Sequence, residues 1–340
     1  MLPAMVSATT RVLKAGDSRV HSATIMITCC VLGAGNHSRL QHGAPLAHLK
    51  KARPDALRLA AVCDLQEERA AAYATEFGFE RTYRDYRRMI EYERPDAVIA
   101  ITPLELTLPI GRELLSYGIP IMLEKPPGRT AGEARQLLDA AEAHGTVHMI
   151  SFNRRFSPAF EPAREWLAQS GRRVHCIAGR MLRQRRLESS FVTGTGVHLI
   201  DATLSFFESV TRVISRRWET PSGGQSATAV IDGDGITASL VIAPDAGAIA
   251  ETYELIGADF SIFVDVRAPS VVITEAGRVV LDRRLDEEPA YIACGAYAET
   301  VAFIDGVASG EQLRPSLRDG YRTMTIADAI EHGEEWDGSL

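Results

Sequence analysis

The sequence is short of several things, and each shortage closes off a class of protein. No apolar run approaches the roughly 20 residues of a membrane-spanning helix, so no membrane partner is expected. There is no basic excess: 37 Lys and Arg against 44 Asp and Glu leave a net charge of -7, which argues against a general nucleic-acid surface. The five cysteines, Cys29, Cys30, Cys63, Cys176 and Cys294, form no metal-ligand spacing and leave an odd count. They read as reduced, buried thiols of a cytoplasmic protein, and no metal is expected. Residues 1–24 hold neither a continuous apolar core nor a twin-arginine pair, so they read as an unstructured leader rather than a secretion signal.

What the chain does have is 340 residues, enough for two domains with sizeable cores, and one stretch that organises the rest. Ile25 to Leu32 is an apolar run, expected as a buried strand, that stops abruptly at Gly33-Ala34-Gly35-Asn36-His37-Ser38. Gly33 can adopt the backbone angles of a tight strand-to-helix turn, and Gly35 lacks the Cβ that would hold a pyrophosphate away. Ser38 stands where a third glycine is commoner; it is small enough for close helix packing and adds a hydroxyl. The helix that follows, Ser38 to Lys51, would aim its free N–H groups at phosphates. A second apolar strand, Leu57 to Cys63, ends in Asp64, where a ribose 2′-hydroxyl would be held. Asp64 repels a 2′-phosphate and so favours NAD, with NADP as second choice; Gln66-Glu67-Glu68 separates it from Arg69.

From Ile25 to Phe152 short apolar runs alternate with amphipathic helices, the pattern of a parallel sheet covered on both faces. Helices are expected at Gln66–Phe77, Tyr83–Tyr92, up to Leu115, and Ala131–Ala143 with Thr130 as its cap. The strand Ala97–Ile101 ends at Thr102-Pro103, placing both at the carboxyl edge of the sheet, where ligands lie. The strand Pro120–Glu124 delivers Glu124-Lys125-Pro126-Pro127. A lysine fixed there by two prolines faces the cleft and can trade a proton with a substrate hydroxyl if its pKa falls toward neutrality. From Asn153 onward strands dominate between Val210 and Leu285, with helices at Pro158–Ala168, Val197–Phe207, Tyr291–Ala308 and Asp319–Glu331. The expected fold is therefore α/β: a Rossmann dinucleotide-binding domain over 25–152, then an α+β domain over 153–340 with a largely antiparallel open sheet. An open sheet face suits subunit pairing, so a homo-oligomer, dimer or tetramer, is expected.

Taken together, Gly33-Ala34-Gly35-Asn36-His37-Ser38, Val62-Cys63-Asp64, Ile101-Thr102-Pro103, Glu124-Lys125-Pro126, Asn153-Arg154-Arg155-Phe156 and Gly196-Val197-His198-Leu199-Ile200-Asp201 resemble the Gfo/Idh/MocA family of NAD(P)-dependent oxidoreductases. The resemblance implies hydride transfer between nicotinamide and a hydroxyl or keto carbon of a sugar, cyclitol or related polyol. It implies Lys125 and His198 as catalytic residues. Gly33, Gly35, Asn36, His37, Ser38, Asp64, Thr102, Pro103, Glu124 and Lys125 would hold the cofactor; Lys125, Asn153, Arg154, His198 and Asp201 would hold substrate. Many members place an aspartate four residues before the histidine, where this chain has Gly194. That departure keeps two other readings open, a noncatalytic NAD(P)-binding sensor or scaffold and a redox-neutral NAD-dependent glycosidase. Arg180, Arg183, Arg185 and Arg186 cluster in sequence and offer a fork for an acidic or nucleotide-linked sugar, or an exposed strand edge.

Overall fold

The computed structural model describes residues 26–285, 288–338 and 340; the leader expected over 1–24, and Ile25, lie outside the described residues. Six strands, β1 (Ile27–Leu32), β2 (Leu57–Cys63), β3 (Arg81–Tyr83), β4 (Ala97–Ala100), β5 (Ile121–Glu124) and β6 (His148–Ser151), form a parallel sheet in the order β3-β2-β1-β4-β5-β6. Strand order reverses between β1 and β4, which opens a crevice beyond their carboxyl ends. Helices cover both faces, so β1, β2 and β4 are buried almost throughout. Cys29 and Cys30 point to opposite faces, one into each of two apolar clusters. Burial pushes the Cys30 and Cys63 thiols up to about 12, so neither is a ready nucleophile.

The first helix begins earlier than its expected start at Ser38 and is not uniform. It opens as Asn36–Ser38, passes through a π turn at Arg39–Gly43 and continues as Ala44–Ala52. A π turn fits one extra residue into the winding, and here it turns His42 inward. The short edge strand β3 takes Tyr83, which the periodicity had given to a helix. That helix starts instead at Tyr86, capped by Asp85, whose carboxylate accepts the Arg87 N–H at 2.9 Å. Three residues are too few to show a strand's alternation.

The second sheet has nine strands, β7 (Val174–Leu182), β8 (Arg212–Glu219), β9 (Gln225–Gly233), β10 (Ile236–Ala243), β11 (Ala250–Gly257), β12 (Phe260–Asp265), β13 (Ser270–Glu275), β14 (Arg278–Arg284) and β15 (Glu335–Asp337). Their order is β14-β13-β12-β11-β7-β10-β9-β8-β15, and every pairing is antiparallel except β7 with β10. Alternation along the strands buries one face against helices and leaves Ile214, Trp218, Val230 and Phe263 exposed. The helix expected over Tyr291–Ala308 is broken into Ala290–Ala293 and Ala296–Ser309. At the break Gly295 has φ +92°, and a Cβ there would run into the Asn153 carbonyl oxygen. This close approach brings Cys294 and Ala290 beside the crevice.

Candidate active site

Beyond the carboxyl ends of β1 and β4 lies a cleft of about 460 Å³ lined by Gly33, Gly35, Asn36, His37, Asp64, Thr102 and Pro103. The two glycines have different reasons to be there. Gly33 has φ +98°, and any side chain would meet the Ile101 carbonyl, so the turn itself demands it. A Cβ on Gly35 would meet nothing within 4 Å, so the space beside it is open cleft, the cradle a pyrophosphate fits. The Asp64 carboxylate accepts the N–H groups of Ala34 and Gln66, each at 2.9 Å, and so ties the glycine turn to the end of β2. Ser38 borders the cleft, but its hydroxyl is turned inward, donating to the Tyr73 hydroxyl at 3.0 Å. The hydroxyl thus serves helix packing, while the residue itself remains in the lining of the cleft.

Arg69 and Arg84 line the Asp64 end of the cleft, and the Arg69 guanidinium lies 3.6 Å from the Asp64 carboxylate. The sequence reading had set Arg69 aside because three residues intervene; the helix Glu67–Phe77 winds it back. Arg84 was missed because β3, which positions it, was missed.

Next to this cleft is a smaller cavity of about 180 Å³, and His37 borders both. Glu124, Ser151, Asn153, Arg154 and His198 line it, joined by Gln41, Arg267, Ala290 and Cys294, which sequence reasoning had not placed at the site. Glu124, at the end of β5, sits between two histidines: Nε2 of His42 is 2.9 Å from one carboxylate oxygen and Nε2 of His37 3.3 Å from the other. Burial alone would raise the Glu124 pKa, but the hydrogen bonds from His37 and His42 outweigh it and hold the carboxyl well below the usual range. His37, His42 and Glu124 also form a group with metal-ligand atoms within 4.8 Å of one another. However, Nδ1 of His42 is buried without a hydrogen-bond partner among the described residues, whereas metal-bound histidines are held by a bond at the other ring nitrogen. The chemistry of the trio is therefore that of a carboxylate clamped by two imidazoles.

Lys125 follows Glu124, and its ammonium donates to the Gly194 carbonyl oxygen at 3.0 Å. Gly194 lies in a second π turn, Val192–Gly196, just ahead of the helix Val197–Leu204 that carries His198. A backbone oxygen, and no carboxylate, thus meets the lysine at Gly194. Burial lowers the Lys125 pKa, and Glu124 opposes the shift only in part. His198 is pulled well below its usual value, chiefly by burial and further by the Lys125 and Arg154 cations, so the ring is neutral. Its Nδ1 has no partner among the described residues.

Asn153 and Arg154 reach the cavity wall from the 3₁₀ turn Asn153–Phe156. Asn153 donates to Gln41 at 3.2 Å and accepts from Arg154 at 3.2 Å. Asp201 does not reach the cavity. It is fully buried, gripped at both oxygens by Arg155 at 2.7 Å and bonded by Thr323 at 3.1 Å, so its assignment to substrate is corrected to a structural one. The arginines near 180 also fail to form one fork: Arg183 is buried against Glu251, Arg186 pairs with Glu188, and Arg180 is exposed.

Comparison with known proteins agrees with this architecture. Residues 27–152 match a family described as oxidoreductase family, NAD-binding Rossmann fold. Levoglucosan dehydrogenase of Pseudarthrobacter phenanthrenivorans is 26% identical over 334 residues, 79% of this chain and 85% of that protein. Inositol 2-dehydrogenase of Burkholderia ambifaria is 23% identical over 306 residues, 82% and 86% of the two chains. A levoglucosan dehydrogenase structure in complex with NADH superposes with TM-score 0.78 at 22% identity, covering 92% of this chain and 99% of that one, and so has the same fold.

Proposed function

Residues 27–152 belong to the Gfo/Idh/MocA oxidoreductase family, and on that premise we propose that the whole chain is an NAD-dependent dehydrogenase acting on a hydroxyl of a sugar or polyol. The observation that carries the reading is that a dinucleotide cleft and a polar cavity meet at His37, with Glu124 and a neutral His198 in the cavity wall and the shielded amine of Lys125 directly after Glu124 on the Gly194 carbonyl. We divide the work at residue 152: the first part holds the cofactor, and the second shapes the substrate cavity and pairs subunits through the exposed face at Ile214, Trp218 and Phe263. Among the described residues no helix is long and apolar enough to cross a membrane, and all five cysteines are free, which suits a reducing cytoplasm. Asp64 favours NAD; Arg69 and Arg84 beside it leave NADP as the weaker alternative.

Bound nicotinamide supplies the hydride acceptor or donor. The protein's part is alignment and proton handling. In oxidation the free amine of Lys125 takes the hydroxyl proton, and the Gly194 carbonyl holds the ammonium that results; in reduction the same group returns it. His198, neutral and in the cavity wall, is placed to hydrogen-bond the same hydroxyl, which fixes the reacting carbon. Glu124, clamped by His37 and His42, anchors the chain just before the lysine. The test is an absorbance screen at the reduced-nicotinamide band with NAD and a panel of sugars, cyclitols and their acids. A rate with a panel member supports the dehydrogenase, and confirmed cofactor binding with no rate across the panel overturns it.

A further inference from the structure

The cavity wall contains a buried group of three charges. Glu251 is fully buried, and its carboxylate takes the Nε–H of Arg154 at 2.8 Å and an Nη–H of Arg183 at 2.5 Å. The two arginine side chains are each only 10% exposed. Arg154 reaches the second Glu251 oxygen as well, through Nη2 at 3.4 Å, and the remaining hydrogen bonds go to neutral oxygens, those of Leu182 and Ala250 for Arg183 and of Asn153 for Arg154. Two cations thus share one anion, and the group carries a net positive charge inside the protein.

A buried unmatched charge is costly unless something completes it. Among the described residues, nearby carboxylates do not. Glu124 is engaged by His37 and His42, and Glu299, whose carboxyl burial pushes well above the usual range, accepts from the Ser151 hydroxyl at 2.8 Å and pairs with neither arginine. Arg267, exposed in the turn between β12 and β13, lines the same cavity and has no carboxylate partner among the described residues. Deeper in the protein the balance differs: Arg155 and Arg322 stand against Asp201 and Asp319. The excess of positive charge is therefore on the cavity side.

We propose that the cavity takes an anionic substrate, a sugar acid or polyol acid whose carboxylate seats on Arg154 and Arg267 while its reacting hydroxyl lies at Lys125 and His198. This rests on the dehydrogenase reading above. Arginine is suited to the task, because its planar fork matches a carboxylate and keeps its charge at any working pH. At about 180 Å³ the cavity lies below the roughly 300 Å³ at which drug-sized pockets begin, which favours a free monosaccharide acid over a nucleotide-linked sugar.

The test measures binding of matched pairs to the full chain loaded with NADH: D-glucuronate against D-glucose, D-galacturonate against D-galactose, and D-gluconate against D-glucitol. At least one acid should bind about tenfold or more tighter than its neutral partner, and Arg267→Gln should weaken that acid about tenfold to a hundredfold, the worth of one charge-assisted hydrogen bond. Arg267 is exposed, so this variant avoids the folding penalty expected on cutting Arg154, and NADH binding is followed in parallel. Neutral partners binding as well as acids, no member binding, or an unaltered Arg267→Gln affinity would each overturn the proposal. The two readings fail separately. An acid that binds without hydride transfer in either direction sinks the dehydrogenase, whereas oxidation of neutral sugars alone sinks only the anionic substrate.

Discussion

Arg154 and Arg155 are neighbours in the chain, yet they serve regions of opposite character. Arg154 turns to the cavity wall, where it shares Glu251 with Arg183. Arg155 turns into the interior, where it holds Asp201 and Asp319 at 2.7 and 3.3 Å. The divergence follows from the 3₁₀ turn that carries both, since at three residues per turn successive side chains leave the axis about 120° apart. One region borders a cavity and sets two arginines against one carboxylate; the other is closed and sets Arg155 against two carboxylates. The contrast teaches that a run of polar residues at a strand end divides its labour by direction, and that the open half is where chemistry can occur.

Changes on the two sides should therefore be read by different instruments. The largest effect belongs to the open side. Lys125→Met should reduce turnover by about 10²–10⁴-fold while leaving NADH binding in place; unchanged turnover would remove the lysine from the mechanism. On the closed side Asp201→Ala leaves Arg155 buried with half its partners. It should cost about 3–5 kcal/mol of stability, seen as a large fall in melting temperature, and a variant as stable as the parent would show that the pair is not buried as described.

Gly194→Asp sharpens the open side further. A Cβ there has room, its nearest neighbour being the Ser190 hydroxyl at 3.9 Å. A carboxylate beside the ammonium favours the charged form, so the Lys125 pKa rises. Because oxidation needs the free amine, the rising limb of its pH–rate profile should move to higher pH by the same amount. A profile that does not move would mean that residue 194 acts on Lys125 through its backbone alone.

The smallest effect tests a group between the two regions. Burial pushes the Glu299 carboxyl well above its ordinary value, against the hydrogen bond from Ser151. A raised folded-state pKa gives stability that is complete below the unfolded value of about 4.3 and is lost as pH rises through the folded value. Glu299→Gln should therefore melt a few degrees above the parent at pH 8, a gain of about 1 kcal/mol, and the advantage should vanish at pH 4. An equal difference at both pH values would assign the change to packing.

Much of this was legible in the sequence because it rests on backbone rules. Gly33 and Gly35 announced the turn, Asp64 the end of β2, and Lys125 the end of β5, since each is imposed by chain geometry within a few residues. Thr130 was read as a cap from its position alone, and it accepts the Glu133 N–H at 3.2 Å. The rest needed the third dimension. Asp201 was assigned to substrate because nothing local reveals that Arg155, 46 residues away, arrives behind it. The arginines near 180 looked like one fork, but alternation along β7 and the bend after it send Arg180 outward and Arg183 inward. Arg267, Cys294 and Ala290 reach the cavity from turns and a broken helix far along the chain.

The two π turns have a consequence for how this protein is compared and altered. Each houses one residue more than an α-helical turn would, and one residue corresponds to about 100° of rotation. Matching Val192–Gly196 position by position with an α-helical turn would therefore pair side chains that face different ways. Deleting a single residue from that turn would swing what precedes His198 to a new bearing without substituting any amino acid. In such an enzyme, insertions and deletions in helices are as direct a route to a new specificity as replacement of the lining residues.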